Sequence, residues 1–563
     1  MKLTISTLTV CMLALSFLPA GRAQTSDARD IEQLKAKLAE QQKQIETLRQ
    51  SVESQQKLIE KLTAPAAKPA DQAAAQPAAP APGFQRAGGA VASATGALPD
   101  LSPVTPAPKY PAQDTQTAAA ATSYPTQLQL GNITIMPVGF MDATAVWRNE
   151  DAGSSIGSNF GSVPFSNAVP GGKLSEFRFS PQNSRIGFRI DGDWKGFRFI
   201  GYNEFDFLGT SGSNALGVTN GAFVPRLRLY WVNVRKGPFE VLGGQSWSML
   251  TPNRKGISPL PGDLFYSQVM DVNYVLGLTW TRQPGFRFLV HAPKDKVTFG
   301  LSFENPNQYI GGSAGGPQIS LPTALSSLVG TQLDNTSTGY LGTPNLIPDI
   351  IAKLAFDPTS RVHVEVAGLV REFKDYNPTT GQPTSGQTFT KTGAGGSLNA
   401  NVEVFKNFRL ITNNFISDGG GRYIFGQAPD LVVRADGSLS PIHAASMVDG
   451  FEAQVSKKSM IWAYFGYIWI GQNTAVDTNG NKVGYGYLGS ANSQNHLERE
   501  YTFGLTQTLW KDAKYGAISM IGQYEYLTRN PWYVALGALN HASDSTIYFD
   551  LRYTLPGGVP TMK

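Results

Sequence analysis

The residues of this chain best suited to chemistry are arginines set two positions apart. Ser184-Arg185-Ile186-Gly187-Phe188-Arg189-Ile190 places Arg185 and Arg189 on one side of an extended backbone and Ile186, Phe188 and Ile190 on the other. Arg226 and Arg228, two apart, share a face in the same way, and Arg361-Val362-His363-Val364-Glu365-Val366 and Asp550-Leu551-Arg552 continue the alternation of polar and apolar residues. A guanidinium is a planar fork that binds a carboxylate through two parallel hydrogen bonds. A row of such groups on one face is suited to attracting small anions. It supplies neither a nucleophile nor a base. The competing reading of any single arginine is an ion pair that stiffens the wall, and for one residue taken alone that reading is favoured.

Other chemistries leave weaker traces. Gly153-Ser154-Ser155-Ile156-Gly157 matches G-x-S-x-G, but it falls in a Gly/Ser-rich loop without the strand-turn-helix setting the motif needs. His291, His363, His443, His496 and His541 are scattered without metal-ligand spacing. No catalytic residue, metal site or cofactor is therefore expected. The single cysteine, Cys11, lies in the N-terminal leader described below, so a thiol catalyst or disulfide is not expected in the mature chain. Without the leader, 45 basic residues face 42 acidic ones. That balance is too even for bulk nucleic-acid binding, and no nucleic-acid motif appears.

An arginine at every second position cannot face an apolar core. It can face a water-filled lumen while the intervening Leu, Phe and Ile face lipid. Mean hydropathy is −0.18, too polar for a bundle of membrane helices. Beyond the N-terminus no apolar run is long enough for a helical span. Charged residues make up 16 % and aromatics 11 %, a balance that suits a transmembrane barrel, whose alternating strands average to mild polarity. Short turns are expected at 191–196, 236–238, 292–295, 357–360, 405–407 and 511–513. Between them lie long Gly/Ser/Asn-rich loops, 149–175, 305–346, 418–448 and 472–496. Alternating short and long connections are those of periplasmic turns and external loops. Counting 275–283 and 286–291 separately gives seventeen strands, an odd number that would break antiparallel closure. Reading Gln283-Pro284-Gly285 as a bulge within one long strand gives sixteen. The expected fold is all-β, a transmembrane antiparallel barrel of about sixteen strands over 128–563, preceded by an α-helical coiled coil.

The segments ahead of the barrel read differently. Residues 1–23 have the basic start, short apolar core and Gly21-Arg22-Ala23 ending of a signal peptide. Within 24–62, Ile31, Leu38, Ile45, Val52 and Ile59 alternate at 3-4 spacing with Leu34, Gln41, Leu48, Gln55 and Leu62. That heptad predicts a coiled coil and hence oligomerisation; β-branched residues at one core position and Leu at the other favour two strands, which the two Gln blur. Residues 63–127 are Ala/Pro-rich with almost no bulky apolar side chain, and read as a linker.

Five short motifs carry a family resemblance: Ser184-Arg185-Ile186-Gly187-Phe188, Glu204-Phe205-Asp206-Phe207, Arg226-Leu227-Arg228, Gly244-Gln245-Ser246-Trp247-Ser248 and the closing Leu551-Arg552-Tyr553-Thr554-Leu555-Pro556. With them the chain resembles the DcaP-like trimeric outer-membrane porins. The resemblance implies sixteen strands per subunit, a homotrimer in outer-membrane lipid with its coil in the periplasm, and passive diffusion of small anions such as dicarboxylates. The trimer overrides the two-stranded preference of the heptads. One departure stands out: such barrels often end on an aromatic residue, whereas this chain continues to Pro560-Thr561-Met562-Lys563. Recognition by the assembly machinery would then fall to Phe549, Leu551 and Tyr553.

On this register the pore-lining bases are Arg185, Arg189, Arg198, Arg226, Arg228, Arg287, Arg361, Arg371 and Arg552, facing the acids Glu204, Asp206, Glu365 and Asp550. The connection 249–271, which would be the third extracellular loop, carries Arg254, Lys255 and Asp263 and is expected to fold inward as a constriction; a subunit-contact loop is the alternative. Peptidoglycan is a candidate partner of the coil. The competing function is a structural tether or adhesin with a narrow or closed barrel.

Overall fold

The computed structural model describes residues 127–556, apart from 152–153, 210–222, 266–267, 313–315, 317, 327–331, 334–344 and 380–381. The expected leader, coiled coil, linker and final Pro560-Thr561-Met562-Lys563 lie outside the described residues.

Sixteen staves close into one antiparallel barrel. They are β1 (Ile133–Arg148), β2 (Glu176–Ser180 and Arg185–Trp194), β3 (Phe197–Gly209), β4 (Val224–Lys236), β5 (Phe239–Trp247), β6 (Arg282–His291), β7 (Val297–Glu304) and β8 (Asp349–Thr359). Then follow β9 (Val362–Thr379), β10 (Gln382–Phe405), β11 (Phe408–Asp418), β12 (His443–Gln454), β13 (Ser459–Ile470), β14 (Asn495–Asp512), β15 (Gly516–Pro531) and β16 (Ala542–Thr554). Each pairs with its sequence neighbours, and closure comes from β1 against β16, Phe140↔Thr554 through Arg148↔Thr546. A short strand, Leu128–Leu130, extends the sheet at the foot of β1.

The two faces sort as the alternation predicts. Ile186, Phe188 and Ile190 are exposed on the outside, while Arg185 between β1 and β3 is buried on the inside. Outside residues meet no protein and match a lipid environment. Exposed Trp194, Phe239, Phe405 and Tyr515 gather near the short turns, and Phe177, Phe179, Trp469, Tyr501 and Tyr524 near the long loops, as two aromatic belts. The turns are tight: Lys195 and Gly196 both have positive φ, 49° and 80°, the geometry that a two-residue hairpin needs.

Two details differ from the alternation. The count of sixteen is right, but not through a bulge at Gln283-Pro284-Gly285: the register of β5 with β6 runs unbroken from Phe239↔Val290 to Trp247↔Arg282. Residues 275–280 are not a strand at all; they belong to a loop inside the lumen. The second difference is a bulge in β4. Glu204 faces Leu229 but Phe205 faces Leu227, so Arg228 is one residue too many. Arg228 and Leu229 then both turn inward, and the pattern flips below them. Leu229 and Trp231 are buried inside while Tyr230 is 63 % exposed outside, the reverse of strict alternation.

Candidate functional site: the lumen and its folded loops

The connection from β5 to β6 runs from 248 to 281, eleven residues longer than the expected constriction. It crosses the lumen and fastens to most of the wall. The Met249 amide donates to Glu304 of β7 at 2.8 Å. Lys353 of β8 donates to the Thr251 carbonyl at 2.9 Å, and the Asn253 amide donates to Glu365 of β9 at 3.2 Å. The Gln268 amide reaches the Tyr464 hydroxyl of β13 at 3.1 Å. The Tyr548 hydroxyl of β16 donates to Asp271 at 3.1 Å. The Leu276 amide donates to Glu500 of β14 at 2.6 Å, and the Thr279 amide to Asn413 of β11 at 3.0 Å. Gly277, with φ of +87°, lies so close to β12 and β13 that a Cβ there would sit 2.5 Å from the Met447 carbonyl oxygen. Wall carboxylates and amides thus satisfy the loop's buried backbone, as a desolvated segment requires.

Other loops fold in behind it. Arg148 at the top of β1 is fully buried and holds the 149–175 loop by donating to the carbonyls of Ser155 at 3.0 Å and Ile156 at 3.2 Å. The Ser158 amide donates to Asp271 at 2.8 Å, tying that loop to the one across the lumen. Phe425, from the loop between β11 and β12, stacks on Trp280 with centroids 4.7 Å apart. Phe160, Leu250, Leu276, Ile310, Ile424 and Leu431, drawn from four loops, form one buried apolar cluster. The long-loop half of the lumen is therefore packed.

The expected arginines divide into groups. Arg185, Arg226 and Arg228 meet on the inner face of β2 to β4. Arg226 grips Asp206 at 2.7 Å; Arg228 bridges Glu204 at 2.7 Å and Asp206 at 2.6 Å. Arg185 lies 3.6 Å from Glu204. Arg228 and Arg185 both donate to the Tyr274 hydroxyl, at 2.9 and 3.3 Å. Burial alone would raise the Tyr274 phenol, but Arg185 and Arg228 hold it below its ordinary value. Arg371 is sealed in, paired with Asp349 at 2.9 Å and with Asp430 of the β11–β12 loop at 2.8 Å. Arg287 is also buried and donates to Ser246 at 3.1 Å. Arg189 pairs with Asp191 two residues along its own strand at 2.8 Å, and Arg552 with Asp142 at 2.7 Å. Arg198 and Lys255 line a cleft near the short turns. Arg254 pairs with Glu452 of β12 at 2.7 Å, and Asp263 accepts from Ser258 at 2.8 Å.

Arg361 is a correction. It does not line the lumen: it falls in the turn between β8 and β9, its side chain 60 % exposed and 4.0 Å from Glu403. The register slips between Phe356 and Thr359, so β9 begins only at Val362. His363 and Glu365 do face inward, hydrogen-bonded to each other at 3.1 Å.

Two features extend the sequence reading, which places Asp550 on the inner face but names neither the other acids of β12 to β16 nor Arg282. Glu452, Glu498, Glu500, Glu525, Asp544 and Asp550 put a concentration of buried acid on β12 to β16, while arginines concentrate on β2 to β6. Arg282, at the start of β6, lies between the Trp247 and Trp280 rings, 5.6 Å from each. No carboxylate lies within ion-pair distance of it among the described residues, and its Nη1 is buried without a hydrogen-bond partner. A strand mistakenly extended back to 275 had hidden it.

No protein-family model and no curated protein matches the chain. Solved structures do. The outer membrane channel DcaP of Acinetobacter baumannii superimposes with a TM-score of 0.54 at 14 % identity, over 76 % of this chain and 99 % of that one. The chain has the fold of an outer-membrane channel. Salmonella typhi OmpF in complex with daunomycin matches at 10 % identity over 76 % of this chain and all of that one, TM-score 0.42. The anion-selective porin from Comamonas acidovorans matches at 12 % over 75 % and 100 %, TM-score 0.41. In this chain the loop after the fifth stave crosses the lumen, with the other long loops packed behind it.

Proposed function

We propose that the protein is an outer-membrane porin through which small hydrophilic solutes diffuse passively, with a preference for anions such as dicarboxylates. It would work as a homotrimer in outer-membrane lipid, its coiled coil in the periplasm. The fold supplies the barrel. The observation that carries the preference is Arg282, a guanidinium among Arg226 and Arg228 with no carboxylate of its own among the described residues. Most other lumen arginines are matched by acids, so their charge is spent on the wall. An unmatched one attracts a mobile anion instead. The Arg226 side chain is 40 % exposed but shares its charge with Asp206, which leaves Arg282 as the unmatched cation of this group.

Planar-bilayer conductance of the purified protein tests this. Three-step closure and a reversal potential favouring anions in a salt gradient are expected, and Arg282→Gln should move that potential towards the cation side. A selective channel whose reversal potential ignores Arg282→Gln would remove the residue from the reading. The packed loops favour a second reading, a tether with a closed barrel. Absence of any conductance, with the loops released as described in the Discussion, would establish it over the porin.

A further inference from the structure

A cleft of about 710 Å³, the open solvent at its mouth included, lies inside the barrel near the short turns. Its wall is the inner face of β3 to β7, and its cover is the Lys255–Leu260 stretch of the loop across the lumen. Most polar groups lining it already have partners. Arg235 pairs with Asp295 at 2.7 Å. His291 meets Glu240 at 2.9 Å and lies 3.3 Å from the Thr298 hydroxyl. Asp263 accepts from Ser258.

Three groups are left over. Trp231 and Asn233, successive inward residues of β4, are 4 % and 6 % exposed. The Trp231 Nε1 and the Asn233 Oδ1 are buried without any hydrogen-bond partner. Buried polar atoms are almost always satisfied, and leaving one bare costs about 1–3 kcal/mol. Two adjacent ones on the wall of one cleft mark a place where a ligand completes the bonding. The third is Lys255, an exposed ammonium on the cover for which no ion pair is found among the described residues. Ile200 and the Trp231 ring give the cleft an apolar floor, and Ile257 an apolar patch on its cover. The bulge in β4 is what builds it. Without the parity flip at Arg228-Leu229, Trp231 and Asn233 would face outward.

A cation, an N–H donor and an amide on an apolar floor are complementary to one kind of solute. We infer that the cleft binds a small carboxylate that also carries a hydroxyl, the carboxylate at Lys255 and the Trp231 N–H, and the hydroxyl at the Asn233 amide. It is separate from Arg282, which lies at the opposite end of the β5–β6 pair. The inference deepens the porin reading by giving the channel a holding site near its short-turn end, but binding can be measured without any conductance.

The test uses the full-length protein in detergent micelles and two probes, malate and succinate, which differ by one hydroxyl. Isothermal titration should show malate binding about tenfold more tightly, the worth of one good hydrogen bond. Asn233→Leu should abolish that difference and leave succinate binding intact. Trp231→Phe, which keeps the ring and removes the N–H, and Lys255→Met should weaken both probes together. Equal affinities in the unaltered protein, or a preference that survives Asn233→Leu, would overturn the site. If Asn233→Leu does not fold, Asn233→Asp decides: a carboxylate there should repel both probes, and unchanged affinity refutes the assignment. A protein that conducts anions yet treats malate and succinate alike loses the cleft and keeps the porin. One that prefers malate but never conducts does the reverse.

Discussion

At the scale of single residues the charges of this lumen are mostly committed to one another. Arg371 shows why. Its guanidinium is fully buried and shared between Asp349 of the wall and Asp430 of a loop, with a further bond to the Gly419 carbonyl at 2.7 Å. Removing one partner of such a pair strands the other in a low-dielectric interior, at about 3–5 kcal/mol. Arg371→Met should therefore lower the thermal midpoint of the barrel measurably, whereas Arg361→Met, in an exposed turn, should leave it unchanged. Circular dichroism melts in one detergent compare the two directly. A sequence could place Arg371 on the inner face, because a two-residue period is local. It could not show that Gly419 and Asp430 of the β11–β12 loop and the Asn307 carbonyl of the β7–β8 loop would close over it. Arg282 was missed for the same reason. Its isolation depends on what Trp247 and Trp280 do, and Trp280 looked like part of a strand.

Elements show where a local pattern stops being a guide. Alternation identified the faces of β2 and β9 well, since their registers run straight through most of their lengths. It failed in β4, where one extra residue reverses the sense of everything after it. A bulge leaves no compositional mark, and Leu229-Tyr230-Trp231 reads equally well either way round. The β5–β6 loop was underestimated because its apolar stretch 275–280 imitates a strand: it is buried, but against the inside of the barrel. That docking has two consequences. Gly277→Val would drive a side chain into the Met447 and Tyr467 carbonyls, so it should dislodge the loop. Larger single-channel conductance is expected, and a conductance equal to that of the unaltered protein would show that the loop does not limit flow. The second consequence concerns pH. Burial pushes the Asp271 carboxyl above its usual range, against hydrogen bonds from Ser158 and Asn273 and the attraction of Arg148. Glu500, Glu525 and the Tyr548 hydroxyl face the same spot. A carboxyl with a raised pKa binds more protons when the loop is docked than when it is free. Docking is then most favourable in acid and weakens as pH rises from about 4 through the shifted value. Conductance should rise across that interval, and Asp271→Asn should flatten the dependence.

For the whole molecule the question is what sets the number of subunits. The heptads at 31–62 by themselves favour two strands, while the fold found here is that of barrels for which three is the proposed assembly. The barrel wall offers apolar surface: Phe177 and Phe179 at the long-loop end of β2, Phe239 near the short turns and Tyr230 on β4 are each more than half exposed on the outside. Burying such surface against a second copy gains about 25 cal/mol for each Å² removed from a polar surrounding, but lipid tails already provide most of that gain. In the proposed trimer what would remain is shape, and any fit between copies would be set by the barrel wall. On that proposal a coiled coil at 24–62 would supply proximity, raising the effective concentration of barrels linked to it without dictating their arrangement. Deleting 24–127 should accordingly leave conductance that closes in three steps while slowing assembly at low protein concentration. If the shortened protein gives single-step channels, the coil sets the number, and the two-stranded preference of its core positions must have been overcome within the coil itself. Replacing Gln41 and Gln55 by Leu separates these cases further. It removes the polar residues that blur the heptads, so a coil in command should move the assembly towards two, and a barrel in command should hold it at three.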